Sequence, residues 1–447
     1  MNQSSRAAEH LSAAIRIPTV SGRDGLPLEP GRFTEFHRFL QDSFPLCHSR
    51  MTREIVDGYS LLYHCPGSDP SLDPFCVMAH MDVVPVDTRT ESQWEHPAFS
   101  GEIVDGYVWG RGALDMKGQL VSIFEALEGL FENGFQPVRG FYVSLSHNEE
   151  IMSQTASGAL ATVKILKDRG VRLAFVLDEG GNFFPKERFH TDRPAVLLGI
   201  CERGYADVRL SAVSGGGHSS TPPAHTALGR LCAAVTAIEN DPLPPFWSPA
   251  AAAMFDSLAP HMEEPYHTLF SNRQSHPERA AAALCESPFD RALIACTSAA
   301  TMAEGSPAPN VLPGEASVTF NLRISPTQTV EHSLSHMRQL AGEGVTFTEL
   351  SHIEPSPISP THGFGYETVL AALQEVFPDY LPAPGPVIMG TDSRHFYAVS
   401  DCVYHVTPFP CFMEDGNRLH TVNERMRLDS LEDGVRFFTA LLTRAAK

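Results

Sequence analysis

The sequence predicts an α/β fold, a mostly parallel sheet flanked by helices, with a ferredoxin-like α+β domain inserted into it. Two observations predict this. Four short apolar runs, Phe75 to Ala79, Phe141 to Ser146, Ala174 to Leu177 and Ala195 to Ile200, have the length and continuity of strands buried on both faces, and helical patterning separates several of them. After Gly204 the character changes to apolar and polar residues in alternation, as in a half-exposed antiparallel strand.

The clearest helix runs from Met116 to Phe131. Leu120, Ile123, Phe124, Leu127, Leu130 and Phe131 share one of its faces, and Asn133-Gly134 supplies a C-terminal stop. The second region begins with a strand over Ala206 to Val213, followed by the glycine turn Gly215 to Gly217. A helix near Thr226 to Glu239, strands near Ser298 to Ala303 and Ala316 to Ile324, a helix near Val330 to Leu340 and a strand from Val345 complete a strand-helix-strand-strand-helix-strand series. Pro355 to Pro360 marks the return to the first region, which ends with a helix at Tyr366 to Phe377. The expected division is 1–204 and 356–447 for the first domain and 205–355 for the second. The Pro- and Ala-rich stretch from Asp241 to Glu286 reads as an insertion with no clear place in either. The pattern contains no internal repeat.

A chain of 447 residues with 43% apolar content is long enough for two globular cores. No uninterrupted apolar run approaches the roughly 18 residues of a membrane span. Met1 to Ile17 has amphipathic spacing at Leu11, Ala14 and Ile15 rather than a basic segment followed by an apolar one, so a cytoplasmic protein without a signal peptide is expected. Nine cysteines, among them Cys47, Cys76, Cys201, Cys296 and Cys411, are odd in number, scattered and never in a Cys-x-x-Cys pair, which reads as reduced core residues. The 33 basic and 53 acidic residues give a net charge of −20, which repels phosphate backbones and anionic lipid and argues against nucleic acid or membrane as partners. Spread along the whole chain, that charge mainly serves solubility.

Three of the predicted strands run into side chains that bind metals: His80, the pair Glu149-Glu150, and Asp178. In open parallel sheets, ligands bind beyond the carboxyl ends of the strands, so these residues can converge. Asp115 follows the glycine-rich Gly110-Arg111-Gly112 ahead of the first helix, and His420 lies far downstream. Each alone is equally a cap or a loop residue. Asp82, two residues after His80, adds weight, because a ligating histidine usually gives its second ring proton to a carboxylate that orients it. His80, Asp115, Glu150, Asp178 and His420 form a mixed nitrogen and oxygen set suited to zinc, with cobalt or manganese as substitutes. Three carboxylates and a hydroxide balance two divalent ions, whereas one ion would leave excess buried negative charge.

Five segments in order, VMAHMDVVP at Val77 to Pro85, GRGALDMKG at Gly110 to Gly118, SHNEE at Ser146 to Glu150, LDEGG at Leu177 to Gly181 and LHTVNER at Leu419 to Arg425, resemble the aminoacylase, acetylornithine deacetylase and carboxypeptidase metallopeptidase superfamily. Together with SGGGHSSTPP at Ser214 to Pro223 and MGTDSRHF at Met389 to Phe396, LDEGG is most similar to the carboxypeptidase S branch. The resemblance implies that the inserted domain is a lid and dimerisation domain. It implies that Asp115 bridges two metals, that Glu150 and His420 complete one site and His80 and Asp178 the other, and that Glu149 is the general base. It also implies a cis peptide at Asp115-Met116, and Asn310, Arg323, Gly390, Thr391 and His218 around the substrate. Arg323 matches the arginine that grips a substrate carboxylate, Gly390-Thr391 would offer nearby donors, and His218 matches a histidine that dimeric members donate to the partner's site and that some relatives supply from a larger lid within one chain, an option the 241–286 insertion leaves open here. Asn148 departs from the family's usual aspartate, and Ile151 to Ser157 from its shorter glycine turn.

The resemblance thus implies a two-metal hydrolase cleaving the amide bond of small peptides or N-acyl amino acids with a free carboxylate, as a homodimer. Carboxypeptidase-like cleavage leads. A deacylase of N-acyl amino acids, able to run in reverse as a condensation, is the alternative within the enzyme class. A binding protein with a dead centre would lack a ligand or the base, and here all are present.

Overall fold

The computed structural model describes residues 3–22, 26–151, 157–410 and 418–447. Cys411 and most of the loop from Ile151 to Ser157 lie outside these.

The long sheet runs in the order Thr52–Val56, Ser60–Cys65, Phe141–Ser146, Phe75–His80, Val176–Asp178, Val403–His405, Ala195–Glu202, Leu381–Val387, with Phe183–Phe184 paired to one side of Ala195–Glu202. The strands 141–146, 75–80, 176–178 and 403–405 are mutually parallel, so their carboxyl ends share one edge. All six residues of the 75–80 and 141–146 strands are buried, as unbroken apolar runs require. Ala195–Glu202 is parallel to Leu381–Val387 but runs against Val403–His405. An apolar run buried on both faces carries no sign of its direction, and the hairpin through Phe183–Phe184 turns this one round.

Helix Gly118–Glu132 packs its apolar face on the C-terminal helix Leu428–Ala445 and on Gln3–Ile15, making one side of the main core. The second sheet has the order Thr297–Glu304, Glu315–Ile324, Gly204–Val213, Val345–Ile353, all antiparallel, which is the ferredoxin-like arrangement. Alternate residues Ala206, Val208, Leu210 and Ala212 face helices Ala227–Asn240 and Val330–Ala341. Among the described residues no helix covers the opposite face of this sheet.

The 241–286 stretch is helical. Pro249–Leu258, Tyr266–Ser271 and Pro277–Leu284 surround Met254, Phe255 and Phe270, which pack on Ala195, Leu197, Leu381 and Ala383 of the long sheet. Ser248 caps the first helix through the Ala251 amide, with Pro249 at its first position. This stretch therefore belongs with the first region. Among the described residues no helix is long and apolar enough to cross a membrane.

Candidate active site

His80 ends its strand buried, with Nδ1 donating to the Asp82 carbonyl at 2.9 Å and lying 3.5 Å from the Asp82 carboxylate. The histidine is thereby oriented by Asp82 as expected, though mainly through the backbone oxygen. The Asp82 carboxylate instead accepts from the amides of Glu149 (3.2 Å) and Glu150 (3.3 Å), so one residue ties His80 to the glutamate pair.

Asp115 presents its two oxygens to different histidines: Oδ1 is 3.0 Å from His80 Nε2, and Oδ2 is 3.2 Å from His420 Nε2. Glu150 lies 3.1 Å from the same His420 nitrogen. On the His80 side, Glu179 approaches Nε2 to 3.3 Å and Glu149 to 3.9 Å. Ligand atoms of His80, Glu149 and Glu179, and of His80, Asp115 and Glu150, form two groups compact enough to hold a metal ion.

Asp115 is turned into this position by Gly112, whose positive φ of 86° suits glycine and where a Cβ would come within 2.6 Å of Val83. The Asp115–Met116 peptide is cis, as the resemblance implies. Glu424, fully buried, accepts from the amides of Leu114 (2.9 Å) and Asp115 (3.2 Å) and pairs with Arg111 at 2.7 Å. It thus fastens the loop that carries His420 to the loop that carries Asp115.

Asp178, expected beside His80, is in neither compact group of ligand atoms, whereas its neighbour Glu179 is in one. Asp178 shares a strand face with Val176, which packs on Phe396 and Val399, while the next residue, Glu179, points towards His80. Gly181 permits the tight exit, since a Cβ there would meet the carbonyl oxygens of Leu197 and His405 at 2.2 and 2.3 Å. Burial raises the Asp178 carboxyl above its ordinary value, opposed by His405 and by a hydrogen bond from the Glu179 amide.

The amide and hydroxyl of Thr391 both donate to the buried Glu202 carboxylate, at 2.9 and 2.7 Å, and so hold the 390–394 turn. Arg323 sits at the hinge end of the second sheet, opposite Tyr205, half-buried. His218 and Asn310 are exposed on adjoining segments at the other end, where Gly217–His218 pairs with Val311–Leu312 and the Ser219 amide donates to the Asn310 carbonyl at 3.1 Å. His218 Nδ1 bonds the Ser220 hydroxyl at 2.8 Å. The structure thus brings together His80, Asp82, Asp115, Glu149, Glu150 and His420, and leaves His218 and Asn310 apart from them. Residues unassigned by sequence reasoning are Glu179, Glu202 and Glu424. Glu179 could have been noted from its place in LDEGG, and Glu424 from its place in LHTVNER.

The charges explain what the cluster can hold. Burial, with the charges of Glu150, Glu179 and Asp392 adding and His80 opposing, pushes the Glu149 carboxyl well above its ordinary value. Burial beside Asp115 lifts Glu150 to about 7 and Glu179 to about 8. Hydrogen bonds with Asp115 and Glu150 raise His420 to about 10, and for His80 bonds with Asp115, Asp82 and Glu179 outweigh burial. The carboxylates exceed the positive charge available to them, and Glu150 Oε1 is buried without a hydrogen-bond partner. Imidazole nitrogens and carboxylate oxygens with surplus negative charge fit divalent cations of the zinc, cobalt or manganese type.

The sequence profile of peptidase family M20/M25/M40 matches residues 76–444. The chain is 35% identical over 439 residues to the N-fatty-acyl-amino acid synthase/hydrolase PM20D1 of Xenopus tropicalis, covering 97% of this chain and 85% of that one. It is 32% identical to a probable carboxypeptidase S-like 2 of Dictyostelium discoideum, covering 98% and 85%. Among solved structures, the M20 family metallo-carboxypeptidase Sso-CP2 of Sulfolobus solfataricus aligns with a TM-score of 0.70 at 16% identity over 98% of this chain and 99% of that one. Human carnosine dipeptidase 1 aligns with 0.66 at 16%, over 99% and 96%.

Proposed function

The chain belongs to peptidase family M20/M25/M40, and on that premise we propose a two-metal hydrolase of small peptides or N-acyl amino acids that carry a free carboxylate. The observation that carries this reading is Asp115, with one oxygen towards His80 and the other towards His420. That is the arrangement of a carboxylate shared between two ions. His80 and Glu179 would complete one site, Glu150 and His420 the other, with zinc the favoured metal. Divalent cations bound there supply Lewis-acid polarisation of the amide carbonyl and make water more acidic.

The rest is the work of the chain. Glu149, close to His80 but not needed for the second group, takes a proton from the attacking water and passes it to the leaving amine. Its raised pKa suits a group that must hold a proton between those two steps. Asp82 keeps base and ligand in register through their amides. Arg323 receives the substrate carboxylate. His218 supplies an oxyanion donor to the partner subunit of a homodimer. This is supported by its place beyond Val213, the far end of a strand pair that runs eight residues, about 25 Å, from the pairing of Tyr205 with Arg323, too far for one small substrate to touch both in one chain. The scattered cysteines support a reducing compartment such as the cytoplasm.

Carboxypeptidase-like cleavage is the leading reading. N-acyl amino acid hydrolysis is favoured by the relative that matches 97% of the chain. The test is metal analysis of the purified protein, then a screen of metal-loaded protein against dipeptides and N-acyl amino acids, with Glu149→Gln as control. Hydrolysis abolished by chelator and by the substitution is expected; turnover that survives either would refute the mechanism.

A further inference from the structure

Arg323 is held against an aromatic ring rather than by an acid. Its guanidinium carbon lies 4.9 Å from the centre of the Tyr205 ring, its direct cross-strand neighbour. Its backbone carbonyl accepts from Arg203 Nη2 at 2.7 Å, and the same nitrogen donates to the Ala295 carbonyl at 2.7 Å, which anchors the strand end. No hydrogen bond or ion pair occupies the Arg323 guanidinium among the described residues. The nearby acid that could claim it is Asp207, two residues from Tyr205, but that carboxylate is already engaged. The Tyr205 hydroxyl donates to Oδ2 at 2.5 Å, the Asn321 amide to Oδ1 at 2.9 Å and the Ser351 hydroxyl to Oδ2 at 3.4 Å. These residues lie on the face of the second sheet opposite Ala206, Val208 and Leu210, which no helix among the described residues covers.

We propose that Tyr205, locked by Asp207, is the positioning residue that holds Arg323 ready for the substrate's carboxylate. The inference rests on the reading of Arg323 given above and adds how its selectivity is built. An arginine on a flexible stem loses side-chain freedom when it grips a ligand; stacked on a ring, it has lost much of that freedom already. The stacking leaves its edge N–H groups open, which is the geometry that a planar carboxylate takes in a two-point hydrogen bond. The three donors on Asp207 serve the same end from the other side, since a satisfied carboxylate does not compete with the substrate's own. Tyr205 therefore acts through Arg323 and selects for an anionic substrate end.

The experiment is a double-mutant cycle with Tyr205→Leu and Arg323→Ala, read on an N-acetyl amino acid and its carboxamide. Binding is measured by calorimetry in the non-hydrolysing Glu149→Gln protein and, for the active protein, as kcat and KM. Tyr205→Leu should weaken binding of the free acid about 3- to 30-fold, the range of a cation–π contact, through KM rather than kcat, and leave the carboxamide unchanged. Tyr205→Trp should restore acid binding, and Tyr205→Leu should add nothing once Arg323 is alanine. Equal losses on acid and amide, or full additivity with Arg323→Ala, overturn the proposal. So does an unaltered protein that binds the acid no better than the amide, absence of binding to both included. If metal-loaded protein hydrolyses no amide, the proposed function falls on its own, and the calorimetric preference still decides the role of Tyr205.

Discussion

Replacing Glu179 by glutamine and, separately, Asp178 by asparagine tests which of these two adjacent acids completes the His80 site. Glutamine keeps the shape of Glu179 and removes the charge that faces His80 at 3.3 Å. Loss of a residue that merely orients a ligand costs about 10- to 100-fold in metal affinity. Loss of a ligating charge should cost at least the upper end of that range, more than about 2.7 kcal/mol. The site of His80 and Glu179 should then empty on dialysis while that of Glu150 and His420 is retained. Asp178→Asn removes a buried carboxyl whose neighbours are His405 and Thr391, so it should keep its full metal complement and lose stability instead. The assay is elemental analysis of dialysed protein with calorimetric titration of zinc. An Asp178→Asn protein that loses one metal equivalent while Glu179→Gln keeps both would falsify the placement of Glu179.

Three further outcomes are expected. Glu149→Gln should retain both metals and lose on the order of 10²- to 10⁴-fold in kcat, whereas Glu150→Ala should lose metal; equal metal loss in the two would show that Glu149 is itself a ligand. In chelator-treated protein, Glu149, Glu150 and Glu179 hold protons in the folded state at pH values where the unfolded chain has released them, since their folded values lie above the ordinary 4.5. The folded state then binds more protons, so the melting temperature should fall between about pH 5 and 8, and zinc, which needs the deprotonated ligands, should stabilise more as pH rises; a chelated protein that gains stability over this range contradicts the charge balance. Mixing inactive His218→Ala and Glu149→Gln subunits should restore part of the activity, because one site of a mixed dimer then carries neither defect, and verified subunit exchange with no recovery would place His218 in its own chain's site.

Much of the fold was legible because its strands and helices are strongly patterned, and the failures have physical causes. Leu381–Val387 carries Pro382, Pro384 and Pro386, which argue against a central strand; it forms because it is the sheet's last strand and pairs on one side only, with Ala195–Glu202. Val403–His405 is three residues long and has no periodicity to detect. The 241–286 helices are short, and what orders them is the apolar surface of Ala195, Leu197, Leu381 and Ala383, residues distant in sequence from the segment they receive.

In the site, sequence reading named the right motifs but could not choose between neighbours. At Asp178-Glu179 both residues are acidic and the strand Val176–Asp178 is buried throughout, so neither composition nor alternation separates them. At Glu149-Glu150 the pair was separable only through the resemblance, and the structure supplies a physical reason for the split. Asp82 takes both amides, which fixes the backbone, and the two side chains then diverge, Glu150 to 3.1 Å from His420 and Glu149 to 3.9 Å from His80. Asp82 therefore sets two things at once, the ring orientation of His80 and the division of labour between base and ligand.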